Sequence, residues 1–136
     1  MKAVVDTNVF ISGLFFSGTP RRLYLAWTQG AFTGVLTTEI LAEYRRVAVA
    51  FLNRGYDVQI EEALDLVVQH SVFIEAAPLP SGLCRDPNDD MFVACALAAD
   101  ADCVISGDKD LLALRGLVPF AILKPTEFMA ETRTAT

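Results

Sequence analysis

Histidine is nearly absent from this chain: His70 is the only one in 136 residues. A Ser-His or Cys-His catalytic pair would have to be built on that single side chain. Its place at the end of the helical pattern DVQIEEALDLVVQH reads instead as a terminal cation facing a helix dipole. Cysteine is sparse as well. Cys84, Cys95 and Cys103 are odd in number and show no C-x-x-C spacing; they read as reduced thiols, not as a zinc site or a disulfide framework. No apolar run approaches the roughly 18 residues of a membrane span, and the nearest candidate, VFISGLFF, is far too short. One Lys precedes the first apolar stretch, so no secretory leader is visible and a cytoplasmic location is expected, with no membrane partner. Basic charge is in deficit: 11 Lys and Arg face 17 Asp and Glu, a net charge of −6. A nucleic-acid binder ordinarily offers a basic surface, so the distribution of the acids matters more than their sum.

What the chain has in plenty is apolar residues, 53% of the total, with a mean hydropathy of +0.39. They fall into short unbroken runs that alternate with helical patterns. Strands are expected over 2–5, 33–37, 72–76, 102–106 and 119–123. Between them, NVFISGLFF and TPRRLYLAWTQG read as helices, the second with Thr19 as N-cap, Pro20 in the first turn and Gly30 as terminator. TTEILAEYRRVAVAFLNRG follows with Ile40, Tyr44, Val47 and Phe51 at helical spacing. DDMFVACALAAD is apolar almost all round and is expected to be buried, while the tail frays from about residue 130. Phe15, Phe16, Tyr24 and Trp27 are expected mainly in the core. Neither repeats nor linkers interrupt the pattern. The expectation is one α/β domain, 1–136, with a central parallel sheet of about five strands covered by helices on both faces.

Ligands of open parallel sheets bind beyond the carboxyl ends of the strands. Asp6 follows the first strand, Glu39 and Glu43 begin the helix after the second, and Asp108 and Asp110 follow the fourth. Asp86, Asp89 and Asp90 crowd the start of the helix leading into that fourth strand. Several have an ordinary structural reading. Asp6 and Asp108 suit helix caps, Asp86 with Pro87 suits a cap and first-turn proline, and Asp89 sits where a capping-box acid would. Glu39 and Asp110 suit the positive end of a helix dipole. Asp90 and Glu43 resist that treatment: Asp90 stands one turn before Ala94 on a helix with no polar face, and Glu43 lies beyond capping range, between Ile40 and Val47.

Two carboxylates about 5 Å apart repel by roughly 3 kcal/mol at an effective dielectric near 20. Four gathered in one place would cost an amount comparable with the whole stability of a domain, about 5–15 kcal/mol. A divalent cation would relieve most of it, and oxygen donors without His or Cys suit Mg²⁺ or Mn²⁺. Two such ions would bring the charge from −6 to −2.

These segments resemble a known family, the PIN-domain nucleases, and in particular the VapC-type toxin ribonucleases. DTNV from Asp6, ILAEY ending in Glu43 and Tyr44, DPNDDMFVACAL containing Asp90, and VISGDKDLL with Ser106 and Asp108 are similar to the family's motifs in their order. The resemblance implies Asp6, Glu43, Asp90 and Asp108 as catalytic metal ligands, with Thr7, Asn8, Ser106, Asp110 and Asp86 in support, and leaves Asp86, Asp89 and Asp110 unranked as outer ligands. It implies a Mg²⁺- or Mn²⁺-dependent endoribonuclease that hydrolyses RNA, often single-stranded, through a metal-activated water. A cognate antitoxin and a homodimer are the implied partners. Arg21, Arg22, Arg45, Arg46, Arg54 and Lys109 are candidates for guiding the RNA backbone. Two other phosphate chemistries fit poorly: a receiver domain wants an acidic pair after the first strand, and a haloacid-dehalogenase phosphatase wants an acid where Asn8 stands. A PIN fold that binds RNA or a partner without cutting is the alternative.

Overall fold

Ala3, Val4 and Val5 are consecutive residues of the first strand, and all three are fully buried. Successive strand residues point to opposite faces, so this strand is covered on both. It is β1 (Lys2–Val5), the middle of a five-stranded, all-parallel sheet in a computed structural model that describes residues 1–77 and 87–134. The others are β2 (Thr33–Leu36), β3 (Ser71–Phe73), β4 (Cys103–Ile105) and β5 (Ala121–Leu123), in the spatial order β3-β2-β1-β4-β5. Register pairs Ala3 with Gly34 on one side and with Cys103 on the other. The chain builds outward from β1 through β2 to β3, then returns to β1's other edge with β4. That reversal makes the carboxyl ends of β1 and β4 a topological switch point.

Seven helices flank the sheet among the described residues: α1 (Thr7–Phe15), α2 (Thr19–Thr28), α3 (Thr38–Leu52), α4 (Ile60–Gln69), α5 (Asp90–Ala99), α6 (Lys109–Leu112) and α7 (Pro125–Thr134). α5 packs on β1, β2 and β4, which explains why its sequence has no polar face. α1 packs on α2 and α3. There Phe10 stacks on Tyr44 with ring centroids 4.2 Å apart and meets Trp27 edge-on at 6.3 Å. Gly34 permits this arrangement, since a Cβ on it would run into the Trp27 indole and the Ser71 hydroxyl. Trp27 and Tyr24 are buried and Phe15 is half-buried, but Phe16 is 43% exposed. None of the described helices is long and apolar enough to cross a membrane.

Element ends differ from the sequence expectation for identifiable reasons. β2 stops at Leu36 because Thr37 caps α3, its hydroxyl accepting the Ile40 N–H at 3.1 Å. β3 covers 71–73 instead of 72–76, β4 103–105 instead of 102–106, and β5 121–123 instead of 119–123; Pro119 has no N–H to give a ladder. α2 is capped by Gly18, and Thr19 is its first helical residue. α7 runs to Thr134 where fraying was expected from about 130. It is held by Phe128, fully buried with its ring 5.0 Å from that of Phe32, and by the Arg115–Glu127 ion pair. Cys95 and Cys103 are free and buried, and burial pushes both thiols up to about 12. Cys84 and Asp86 lie outside the described residues.

Candidate active site

Asp6 leaves β1 with its backbone still in the ladder, its N–H donating to the Ile105 carbonyl at 3.0 Å. The chain then turns into α1. The carboxylate divides its oxygens: Oδ1 accepts the Asn8 N–H at 3.4 Å as the helix cap, and Oδ2 accepts the Ser106 hydroxyl at 2.6 Å. Ser106 Oγ accepts the Asp108 N–H at 2.9 Å, and Asp108 Oδ1 accepts the Asp110 N–H at 2.7 Å, capping α6. One line of hydrogen bonds thus crosses the switch point from β1 to α6. The capping readings of Asp6 and Asp108 hold, and they do not exhaust either residue. Asp6 is 4% exposed. Burial pushes its carboxyl above the ordinary aspartate range, hydrogen bonds from Ser106 and Asn8 oppose that, and the Asp108 charge adds to it.

Asp89 enters from a third segment. It ends a 3-10 turn, Pro87–Asp89, and is 6% exposed. The sequence offered it as a capping acid or an outer ligand, and its side chain makes no capping hydrogen bond. One carboxylate oxygen from each of Asp89, Asp108 and Asp110 lies within 4.8 Å of the others. The sequence reading ranked Asp90 ahead of Asp89 because it followed the helical period back from Ala94. Adjacent helical residues point about 100° apart, and the tighter 3-10 turn breaks the phase.

Asp90 follows Asp89 directly in sequence. It lines a cavity of about 330 Å³ with Thr37, Glu39, Met91 and Ala94, between α5 and the start of α3. Glu39 is exposed on that rim, and its carboxyl is held below the ordinary range by its own backbone N–H and by the Thr37 and Thr38 hydroxyls. Glu43, one turn further along α3, meets the start of α1. Its Oε1 accepts the Thr7 hydroxyl at 3.3 Å, which places it beside the start of α1, and its Oε2 lies 3.4 Å from Arg46. Between the two glutamates, Glu43 is the one in contact with the Asp6 segment. Tyr44 beside it is fully buried and its hydroxyl donates to the Val5 carbonyl, pinning α3 to the end of β1.

A second cavity, of about 310 Å³, is lined by Asp108 together with Asn8, Val9, Ser12, Pro20, Gly107 and Pro125. Of the basic candidates, Arg45 is tied to Glu61 through two nitrogens at 3.0 and 3.2 Å. Arg46 pairs with Glu43, and Arg54 lies over the Phe51 ring at 4.9 Å. Arg21, Arg22 and Lys109 are exposed, and Arg22 holds Thr19 at 3.1 Å.

The sequence signature of the PIN domain matches residues 2–110, a span that contains Asp6, Glu39, Glu43, Asp89, Asp90, Asp108 and Asp110. The chain belongs to the PIN-domain family. It is also 30% identical over 118 residues to an uncharacterized protein of Methanocaldococcus jannaschii, covering 85% of this chain and 76% of that one. No solved structure matches it significantly. PIN domains are nucleases and generally use divalent metal ions. The donor set of this PIN domain fits such an ion: carboxylate oxygens suit hard cations. Their 4.8 Å limit is close to the roughly 3–4 Å between oxygens sharing one octahedral Mg²⁺.

Proposed function

We propose that this PIN domain is a Mg²⁺- or Mn²⁺-dependent endoribonuclease that hydrolyses phosphodiester bonds of RNA. The observation that carries the proposal is the approach of Asp89, Asp108 and Asp110 to within 4.8 Å of one another, joined to buried Asp6 through Ser106. Asp89, Asp108 and Asp110 would hold the ion, with Asp6 completing the negative field, and Glu43 and Asp90 remain candidate ligands from the neighbouring helices. A divalent ion bound there supplies charge neutralisation at the scissile phosphate and an acidified water.

The chain's own part is placement. Ser106 donates to Asp6 and accepts from Asp108, so it sets the distance between two carboxylates that repel each other. Thr7 turns the Glu43 carboxylate toward the same end of the sheet. The half-exposed faces of Asp108 and Asp110 leave the cluster open to a polymer. Hydrolysis by water needs no nucleophilic side chain, which agrees with buried, fully protonated Cys95 and Cys103 and with a lone His70 occupied at the end of α4, 3.1 Å from the Leu66 carbonyl.

Resemblance to the VapC-type nucleases supports a role as the toxin of a toxin–antitoxin pair, a cognate antitoxin and a homodimer. Exposed Phe16, Val49, Val72 and Phe73 add apolar surface that such partners would cover. Labelled single-stranded RNA incubated with Mn²⁺ is expected to be cut, with EDTA to stay intact, and with Asp6→Asn or Asp108→Asn to resist cutting. Intact RNA under every condition would favour a binding module, and cleavage indifferent to EDTA would reject the metal-dependent mechanism.

A further inference from the structure

Asn8 and Ser12 lie four residues apart on α1, one above the other on one face with a rise of roughly 6 Å between them. Both line the cavity of about 310 Å³ that opens on Asp108. Among the described residues, neither the Asn8 carboxamide nor the Ser12 hydroxyl hydrogen-bonds to another protein group, and only the backbones of these residues are engaged. The remaining walls are Val9, Pro20 and Pro125, which offer carbon surface, and Gly107, where an added Cβ would meet nothing within 4 Å.

We propose that this cavity is the ribose subsite next to the scissile phosphate, and that Asn8 and Ser12 read the 2′-hydroxyl there and so make the enzyme prefer RNA to DNA. The proposal rests on the nuclease reading above. Its chemistry is that of a site for one neutral hydroxyl. An amide supplies two donors and an acceptor, and a hydroxyl supplies one donor and two lone pairs, which match a 2′-hydroxyl that both gives and takes a hydrogen bond. Neither group carries charge, so neither competes for a metal or repels a phosphate. The cavity shares Asp108 with the acidic cluster, so a sugar held in it presents its phosphate to the carboxylates. Its volume is at the lower end of small-ligand pockets, roughly 300–1,000 Å³, which suits one nucleotide's sugar and excludes a second.

The test uses the whole chain with Mn²⁺ and a labelled RNA whose cut position has been mapped. Single 2′-deoxy substitutions are placed at each nucleotide flanking the cut. Substitution at one of the two is expected to lower kcat/KM on the order of 10-fold, the worth of one or two partly exposed hydrogen bonds. In Ser12→Ala and Asn8→Ala the ratio of ribose to deoxy cleavage is expected to fall towards one. Gly107→Leu, whose Cβ meets nothing within 4 Å, is expected to keep its thermal midpoint and raise KM for RNA. Equal cleavage of ribose and deoxy strands, or a ratio untouched by Ser12→Ala and Asn8→Ala, overturns the subsite alone. A deoxy substitution that abolishes cutting, with 2′,3′-cyclic phosphate ends on the RNA products, makes the hydroxyl the nucleophile and also overturns it. No cleavage of any strand overturns the nuclease reading and the subsite with it.

Discussion

The hydroxyl of Ser106 donates to Asp6 across 2.6 Å and one hundred residues of sequence. Ser106 is fully buried, and the same oxygen accepts the Asp108 N–H. It therefore fixes one acid relative to another. Ser106→Ala is expected to leave the fold intact and to reduce Mn²⁺-dependent cleavage roughly 10–100-fold, the usual worth of a partner that orients a metal's ligand. Calorimetric titration with Mn²⁺ alone should show weaker binding in the same variant. Unchanged binding and cleavage would make the contact purely structural.

Asp89 and Asp90 are neighbours with different surroundings, one within the acidic cluster and the other on the cavity beside it. Asp89→Asn is expected to reduce Mn²⁺ affinity and RNA cleavage on the order of 100-fold or more. Asp90→Asn is expected to reduce them less. The reverse order, measured on one RNA at several Mn²⁺ concentrations, would transfer the third position to Asp90.

Burial gives Asp6 a pH dependence of definite sign. Its folded carboxyl is raised above the ordinary value of 3.8, so the folded protein holds that proton more tightly than the unfolded chain does. The contribution to stability is complete below 3.8 and is lost as pH rises through the higher folded value. Without metal, Asp6's own contribution to the thermal midpoint is expected to fall as pH rises across the carboxylate range. Asp6→Asn, which keeps an acceptor for Ser106, should flatten that slope. A steeper slope in the variant would contradict the assignment.

Tyr44 offers a stability test separate from chemistry. Tyr44→Phe retains the stacking on Phe10 and removes only the hydroxyl that donates to the Val5 carbonyl. Leaving that acceptor short of a partner is expected to cost about 1–2 kcal/mol, read as a lower urea midpoint with an unchanged slope. Cleavage by the folded variant should persist.

Cys95 and Cys103 are pushed up to about 12 by burial, and the thiolate is the reactive form. Both are expected to resist iodoacetamide at pH 8 in the native protein and to react once it is unfolded in urea, as peptide mapping would show. Rapid native labelling at either position would mean that α5 or β4 opens locally.

The alternation of short apolar runs with helical periods was enough to specify a parallel α/β sheet, because those preferences act over a few residues. It was also enough to put Asp6 and Asp108 after strands and Glu43 inside α3. Strand ends were less legible, since Thr37 could extend a strand or cap a helix, and its hydrogen bond to Ile40 decides for the cap. Only the tertiary structure determined that β4 lies against β1, bringing Ser106 to Asp6, since strand pairing across a hundred residues depends on which arrangement buries both faces of β1. Only it placed Asp89 beside Asp108 and Asp110 and Asp90 on the neighbouring cavity, because the turn of tighter helix directly ahead of α5 breaks the helical period that the sequence suggests.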